Sequence, residues 1–239
     1  MFQAFRHYAQ QNKKRLPFFF QLLLQKRIHQ NKFADEIHLI KSCSRFTTPI
    51  TQEEITNLLT AISKSTDTFS QRDKALFAVY AFSGIRKSEA LALRISDYDR
   101  DSKLLHLPIV KRSSKNFQTI PSILSNILDD YLPFFKNTDS SLPLFPGIQL
   151  KTQLSSRQAG LSGRQVSYRF EKWKVISGIR RNLTIHSFRA AYASQLYKKT
   201  KDPLLVSYAL GHTSFNTTMR YINEEFFDIF SVIEEVFNF

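Results

Sequence analysis

A chain of 239 residues with 42% hydrophobic and 23% charged side chains has the make-up of a folded globular protein, which excludes disorder for its bulk. Its 34 Lys and Arg against 20 Asp and Glu leave a formal charge of +14, pointing first to nucleic acid as a partner and second to an anionic membrane surface. The single cysteine, Cys43, excludes an internal disulfide and suits a reducing compartment, the cytoplasm.

The chain opens on its most basic stretch. Residues 1–45 hold nine Lys or Arg against two acids, Asp35 and Glu36, which is half of the net charge. Apolar residues at Phe2, Phe5 and Tyr8, then at Phe19, Leu22 and Leu23, predict two short basic helices. The run LPFFFQLLL, Leu16 to Leu24, follows Lys13, Lys14 and Arg15 as in a signal peptide. Nine residues broken by Gln21 cannot span a bilayer, and no small-residue cleavage site follows. The run reads as a buried helix, and no membrane association is expected.

A second domain, 46–239, begins at SRFTTPITQEEITNLLTAI. Thr51 can cap a helix with Glu54 three residues on, and Ile55, Leu58, Leu59 and Ile62 form its apolar stripe. Leu76, Phe77, Val79 and Tyr80 predict a helix over 72–82 that Ser83-Gly84 breaks, with a new start at Ser88-Glu89. KLLHLPIV (103–110) and FQTIP (117–121) read as two strands of an antiparallel hairpin around the polar turn KRSSKN. Helices then return over 123–135 and over 163–177, where Val166, Phe170, Trp173 and Ile176 share a face. Further helices are expected at 187–198, 203–210, 216–222 and, with the stripe Phe226, Phe230, Ile233 and Phe237, at 223–239. The predicted fold is mainly α with a small antiparallel β-sheet, an α+β class.

Three segments carry side chains suited to chemistry. Arg86 stands in SGIRKSE just after the helix break, where it can face a cleft. In TIHSFRAAYA, His186 and Arg189 are three apart and so share one helical face, where an acid–base group and a fixed cation can meet one anion. In ALGHTSFNTTMRYI, His212 lies on a turn and Tyr221 on the helix after it. Two arginines, two histidines and a tyrosine in a basic chain point to phosphoryl transfer on a phosphodiester. The guanidinium fork matches two non-bridging oxygens, and the developing charge needs fixed donors. Tyrosine would be the nucleophile, although at neutral pH only about one phenol in a thousand is ionised; neighbouring His and Arg must take its proton and its charge. With the arginines supplying positive charge and no His/Cys cluster at zinc spacing, no cofactor and no metal are expected.

The order Arg, His-x-x-Arg, Gly-His and Tyr resembles the tyrosine recombinases of the phage integrase family. SGIRKSEALAL is similar to the first arginine box of that family, and the stretch from Thr184 to Ile222 to its second box; the similarity runs from about Thr47 to Tyr221. The resemblance implies a tyrosine recombinase catalytic domain acting on double-stranded DNA. Tyr221 would attack the scissile phosphate and form a 3′-phosphotyrosyl bond. Arg86 and Arg189 would clamp the non-bridging oxygens, His186 would accept the tyrosine proton and His212 would bond the phosphate. Glu89 would orient Arg86. The family also uses a hairpin lysine to protonate the leaving 5′-oxygen: Lys111 is preferred for its place early in the turn, Lys115 also qualifies, and ungapped counting back from Pro121 lands on Ser113.

Residues 1–45 resemble the last helices of the family's N-terminal core-binding domain and are expected to be a partial version of it. Ala190 stands where many members carry a second histidine, which is not a catalytic requirement. The tail 223–239, with five acids and no bases, either packs on its own chain or docks on a neighbour in a homo-tetramer assembled on DNA. Lys151, Arg157, Arg164, Arg169, Lys172 and Lys174 are candidates for phosphate contact. The function expected is site-specific DNA recombination; the alternatives are DNA relaxation in the manner of a type IB topoisomerase and a truncated, non-catalytic DNA-binding relic.

Overall fold

The computed structural model describes residues 47–108, 115–135, 138–147, 160–212 and 217–218, all within the compact unit Arg45–Phe239. The basic segment 1–45 and the helix expected at 223–239 lie outside the described residues, as does all of 216–222 except Thr217 and Thr218. Seven α-helices and three short strands make up the described part, which is mainly α with one small antiparallel sheet.

Helix α1, Gln52–Ser63, starts where its cap chemistry predicts. The Thr51 hydroxyl accepts from the Glu54 N–H at 3.2 Å, and the Glu54 carboxylate accepts from the Thr51 N–H at 2.8 Å. The two bonds satisfy donors that the helix cannot. Its stripe Ile55, Leu58 and Ile62 is buried. Helix α2, Ser70–Ser83, is buried nearly all round from Ala75 to Ala81, as expected of a helix apolar on every side. It is the central element, packed by α1, by α4 (Ser122–Tyr131) and by α6 (Ile185–Thr200). Phe77, Tyr80, Phe170 and Phe188 form the aromatic centre of this core.

Gly84 ends α2 with φ 63°, the left-handed conformation that terminates helices. Helix α3, Lys87–Ala92, follows at once. The sheet has strand order β1 (Tyr98–Asp99), β2 (Leu104–His106) and β3 (Phe117–Thr119), both pairings antiparallel. Two of its strands are those expected from sequence; β1, two residues long, carries too little pattern to be seen there. Leu105 pairs with Tyr98 on one side and with Gln118 on the other, and these three make the buried face.

Helix α5 is Gly163–Ile176 and α7 is Pro203–Leu210. On α5, Val166, Phe170 and Trp173 are buried, but Ile176 is 52% exposed. It is the last residue of the helix, past the point where the core continues. Helix α6 begins two residues before the expected position, with Thr184 as N-cap. Helix α7 is capped by Asp202, whose side chain accepts from Leu204 and Leu205 N–H at 2.8 and 3.1 Å, and it closes on Gly211 with φ 61°. Among the described residues no helix is long and apolar enough to cross a membrane.

Candidate active site

The last three carbonyls at the end of α7 belong to Ala209, Leu210 and Gly211, and each receives a cation from a different part of the fold. Lys115 Nζ, from the turn before β3, donates to Ala209 O at 3.0 Å. Arg189 Nη2, from the second turn of α6, donates to Leu210 O at 2.7 Å. Arg86 Nη2, from the N-cap of α3, donates to Gly211 O at 3.1 Å. A helix end leaves its final carbonyls without internal partners and is the negative pole of its dipole, so it suits this gathering of positive charge.

Each arginine has a second anchor. Arg189 Nη1 donates to Gly84 O at 2.6 Å, and the residue is only 4% exposed. Gly84 can present that carbonyl because it alone fits: a Cβ there would lie 2.4 Å from Tyr192 Cδ1. Arg86 Nη1 bonds Glu89 Oε1 at 2.8 Å while its own N–H bonds the other carboxylate oxygen at 2.7 Å. Glu89, 2% exposed, therefore holds both ends of Arg86 and fixes its direction.

His212 follows the α7 cap, its N–H on Ser207 O at 3.1 Å and its Nδ1 2.7 Å from the Thr218 hydroxyl. Burial, then the charges of Arg189 and Arg86, push its pKa down to about 4, against the pull of Glu89. The ring is neutral near pH 7. His186 is exposed on the first turn of α6. Desolvation by the protein around its ring, followed by Arg189 and Lys87, also holds its pKa below the ordinary value, so it too is neutral and able to accept a proton. Lys115 is lowered by burial first and then by Arg189, with Glu89 opposing.

The structure thus brings together Arg86, Glu89, Lys115, Arg189 and His212, with His186 within electrostatic reach of Arg189. Lys111 and Tyr221 lie outside the described residues. Sequence reasoning had not singled out Gln118 and Thr218, which bond Lys115 and His212, or Tyr192, whose ring lies against Gly84. Gln118 carried no signal in the sequence, because its apolar neighbours Leu105 and Tyr98 are known only once the strands are paired. The phosphate-contact candidates divide. Arg164 is exposed, and Lys151 and Arg157 lie outside the described residues. Arg169 is withdrawn: it is 5% exposed and pairs with Asp73 and Asp67. Lys172 also pairs with Asp67, and Lys174, 7% exposed, with Glu171. The expectation fails for Arg169 and Lys174 because helix α5 turns these two side chains out of solvent and toward acids. Among the described residues no three His, Cys, Asp or Glu side chains gather as a metal site would require.

The model of one known family, the phage integrase family, matches residues 49–226, a span that contains Arg86, Lys115, Arg189 and His212. The chain belongs to the phage integrase family. A curated relative, the tyrosine recombinase XerC of Neisseria meningitidis serogroup B, is 28% identical over 210 residues, 87% of this chain. The chain spans 66% of the length of that relative. Among solved structures, the XerA recombinase superposes with a TM-score of 0.63 at 21% identity, covering 81% of this chain and 65% of its own. The Tn1549 transposon integrase, solved in complex with transposon right end DNA, gives a TM-score of 0.64 at 14% identity, covering 98% of this chain and 84% of its own. At those identities the likeness is one of fold, that of tyrosine recombinase catalytic domains.

Proposed function

We propose that this integrase-family chain cleaves and rejoins double-stranded DNA at specific sites through a 3′-phosphotyrosyl intermediate. The observation that carries the reading is the convergence of Arg86, Arg189 and Lys115 on the end of α7, ten residues before Tyr221 in the sequence. Carbonyl oxygens are weak, neutral acceptors. A phosphodiester entering the group carries full negative charge and offers the guanidinium forks a better partner.

In the proposed reaction the Tyr221 phenol oxygen attacks phosphorus as the bond to the 5′-oxygen breaks. The phenolic proton passes to His186, neutral at working pH, and Arg86 and Arg189 hold the two non-bridging oxygens as charge develops on them. His212, also neutral, donates to the phosphate through one ring nitrogen while the other faces Thr218. Of the two hairpin lysines, we assign the leaving-group proton to Lys115. Its depressed pKa brings the ammonium nearer to ambient pH and makes it a better acid. Religation runs the same steps backward.

Double-stranded DNA is the partner in this reading. The segment 223–239, acidic and aromatic on a chain of charge +14, is proposed to dock on a second copy and to assemble a tetramer on DNA. A nicked duplex cut from DNA flanking the gene tests the chemistry. The nick lets the short product diffuse away, so a covalent protein–DNA adduct accumulates in wild type and is absent in Tyr221→Phe. Failure of wild type to form an adduct on any such duplex would overturn the reading. Relaxation of supercoiled plasmids of any sequence would replace recombination by topoisomerase action.

A further inference from the structure

Strand β3 runs against the usual alternation. Phe117 is 46% exposed, whereas Gln118 is 4% exposed on the face it shares with Leu105 and Tyr98. A strand with one buried face ordinarily turns its apolar residue inward and its amide outward. A local rule broken in this way marks a position kept for something other than packing.

Gln118 uses both ends of its amide. Its Oε1 accepts from Lys115 Nζ at 2.8 Å, and its Nε2 donates to Thr119 O at 3.0 Å; the phenol of Tyr192 on α6 interacts with the same side chain. These partners decide which way the amide points, because the opposite orientation would set an NH2 group against an ammonium. The same Tyr192 ring lies against Gly84, whose carbonyl holds Arg189.

We propose that Gln118 is a positioning residue that holds the Lys115 ammonium at the reacting phosphate. The proposal rests on the reading of Lys115 as the donor to the leaving oxygen. A lysine side chain has four methylenes and loses much rotamer freedom when it is fixed. Two acceptors, Gln118 Oε1 and Ala209 O, together with the Tyr208 ring 5.7 Å from Nζ, fix it before DNA arrives. The acceptor is also uncharged. A carboxylate in its place would bind the ammonium more tightly but would hold on to the proton that must leave. Among the described residues, the charged and titratable groups facing Lys115 are Arg189 from α6 and Glu89 from α3, with the Tyr208 phenol ring from α7. Gln118 adds a hydrogen bond to this set without altering its charge.

The test has a part that needs no DNA. The full chain is acetylated with acetic anhydride across a pH series, and modification of Lys115 is followed by mass spectrometry in wild type, Gln118→Met and Gln118→Glu. Methionine keeps the volume of the side chain and removes the acceptor. The expected outcome is a midpoint for Lys115 displaced to higher pH by about one unit in the glutamate variant and faster acetylation in the methionine variant. Wild-type curves in both overturn the proposal.

The second part uses the duplex that traps the adduct, with either oxygen or sulfur at the bridging 5′ position; a thiolate leaves without needing a proton. Gln118→Met is expected to lose about ten- to a hundredfold in cleavage of the oxygen duplex and to recover on the sulfur duplex. Equal loss on both means a structural role and overturns the proposal. Lys115→Ala separates the underlying reading: wild-type cleavage of the oxygen duplex by that variant removes Lys115 as the acid, whatever the acetylation of Gln118 variants shows.

Discussion

Among the described residues, two clusters of polar side chains satisfy their cations in different ways. The first joins α2 to α5. Asp73, fully buried, accepts from Arg72 at 2.7 Å, from Trp173 Nε1 at 2.8 Å and from Arg169, while Asp67 takes Arg169 at 2.7 Å and Lys172. Every cation there rests on a carboxylate. The second cluster, at the end of α7, gathers Arg86, Arg189 and Lys115 near the carboxylate of Glu89, and the bonds of Arg189 and Lys115 seen among the described residues run to neutral carbonyl oxygens. Charge that is neutralised in place holds a fold together. Charge held by neutral acceptors suits an incoming anion better than charge held by a carboxylate, and the proposed division is stability for the first cluster and chemistry for the second.

The largest expected effect falls on the first cluster. Asp73→Ala leaves Arg72 and Arg169 buried without their carboxylate, and breaking a buried pair in this way costs about 3–5 kcal/mol. Urea unfolding followed by circular dichroism checks it through a fall in the midpoint at unchanged slope. The mirror experiment is Arg189→Ala. It is expected to lower the rate of DNA cleavage by about 10²- to 10³-fold with a smaller change in the urea midpoint than Asp73→Ala. If the two variants exchange signatures, the division between the clusters is wrong.

Gly84→Ala probes the point where the cluster at the end of α7 meets the core. The residue sits at φ 63°, and its Cβ would meet the Tyr192 ring at 2.4 Å. The substitution is expected to destabilise the protein by roughly 1–3 kcal/mol and to slow cleavage as well, since the Gly84 carbonyl that holds Arg189 must shift. A stability loss alone, with cleavage at the wild-type rate, would show that Arg189 is held by the α7 end without it.

The contrast between the clusters also accounts for what could be read in the sequence. Helix α1 was legible in Thr51 and Glu54, and α2 in its continuous apolar run, because capping and periodicity are local. The order of Arg86, His186, Arg189 and His212 was legible because each stands beside its own punctuation, a glycine or a helix start. Arg169 was misread as a surface cation. Its partners Asp67 and Asp73 are about a hundred positions away in the chain, and only tertiary packing brings them to α5. Gln118 was passed over for a similar reason: a three-residue strand does not reveal which of its faces is inward until β1 and β2 are paired with it.

The smallest expected effect is in acid, and it should divide the clusters again. Folding lowers the pKa of His212 from an ordinary 6.5 to about 4, chiefly through burial and then through Arg189 and Arg86. A group with a depressed folded pKa binds more protons when unfolded, so its contribution is intact above about pH 6.5 and is lost as the pH falls toward 4. Asp67 is also depressed, by its hydrogen bonds to Arg169 and Lys172 against the cost of burial, but from the ordinary carboxylate range downward. The contribution of that group persists until the pH drops below about 4. Acidification from pH 7 should therefore disturb the end of α7 before it loosens α2 from α5. Histidine proton shifts in an NMR titration should move for His212 near pH 4, while the indole Nε1 proton of Trp173, bonded to Asp73, keeps its position down to the same pH. Simultaneous movement of both signals at higher pH would mean that the clusters unfold as one unit and that their separate roles are not separately stabilised.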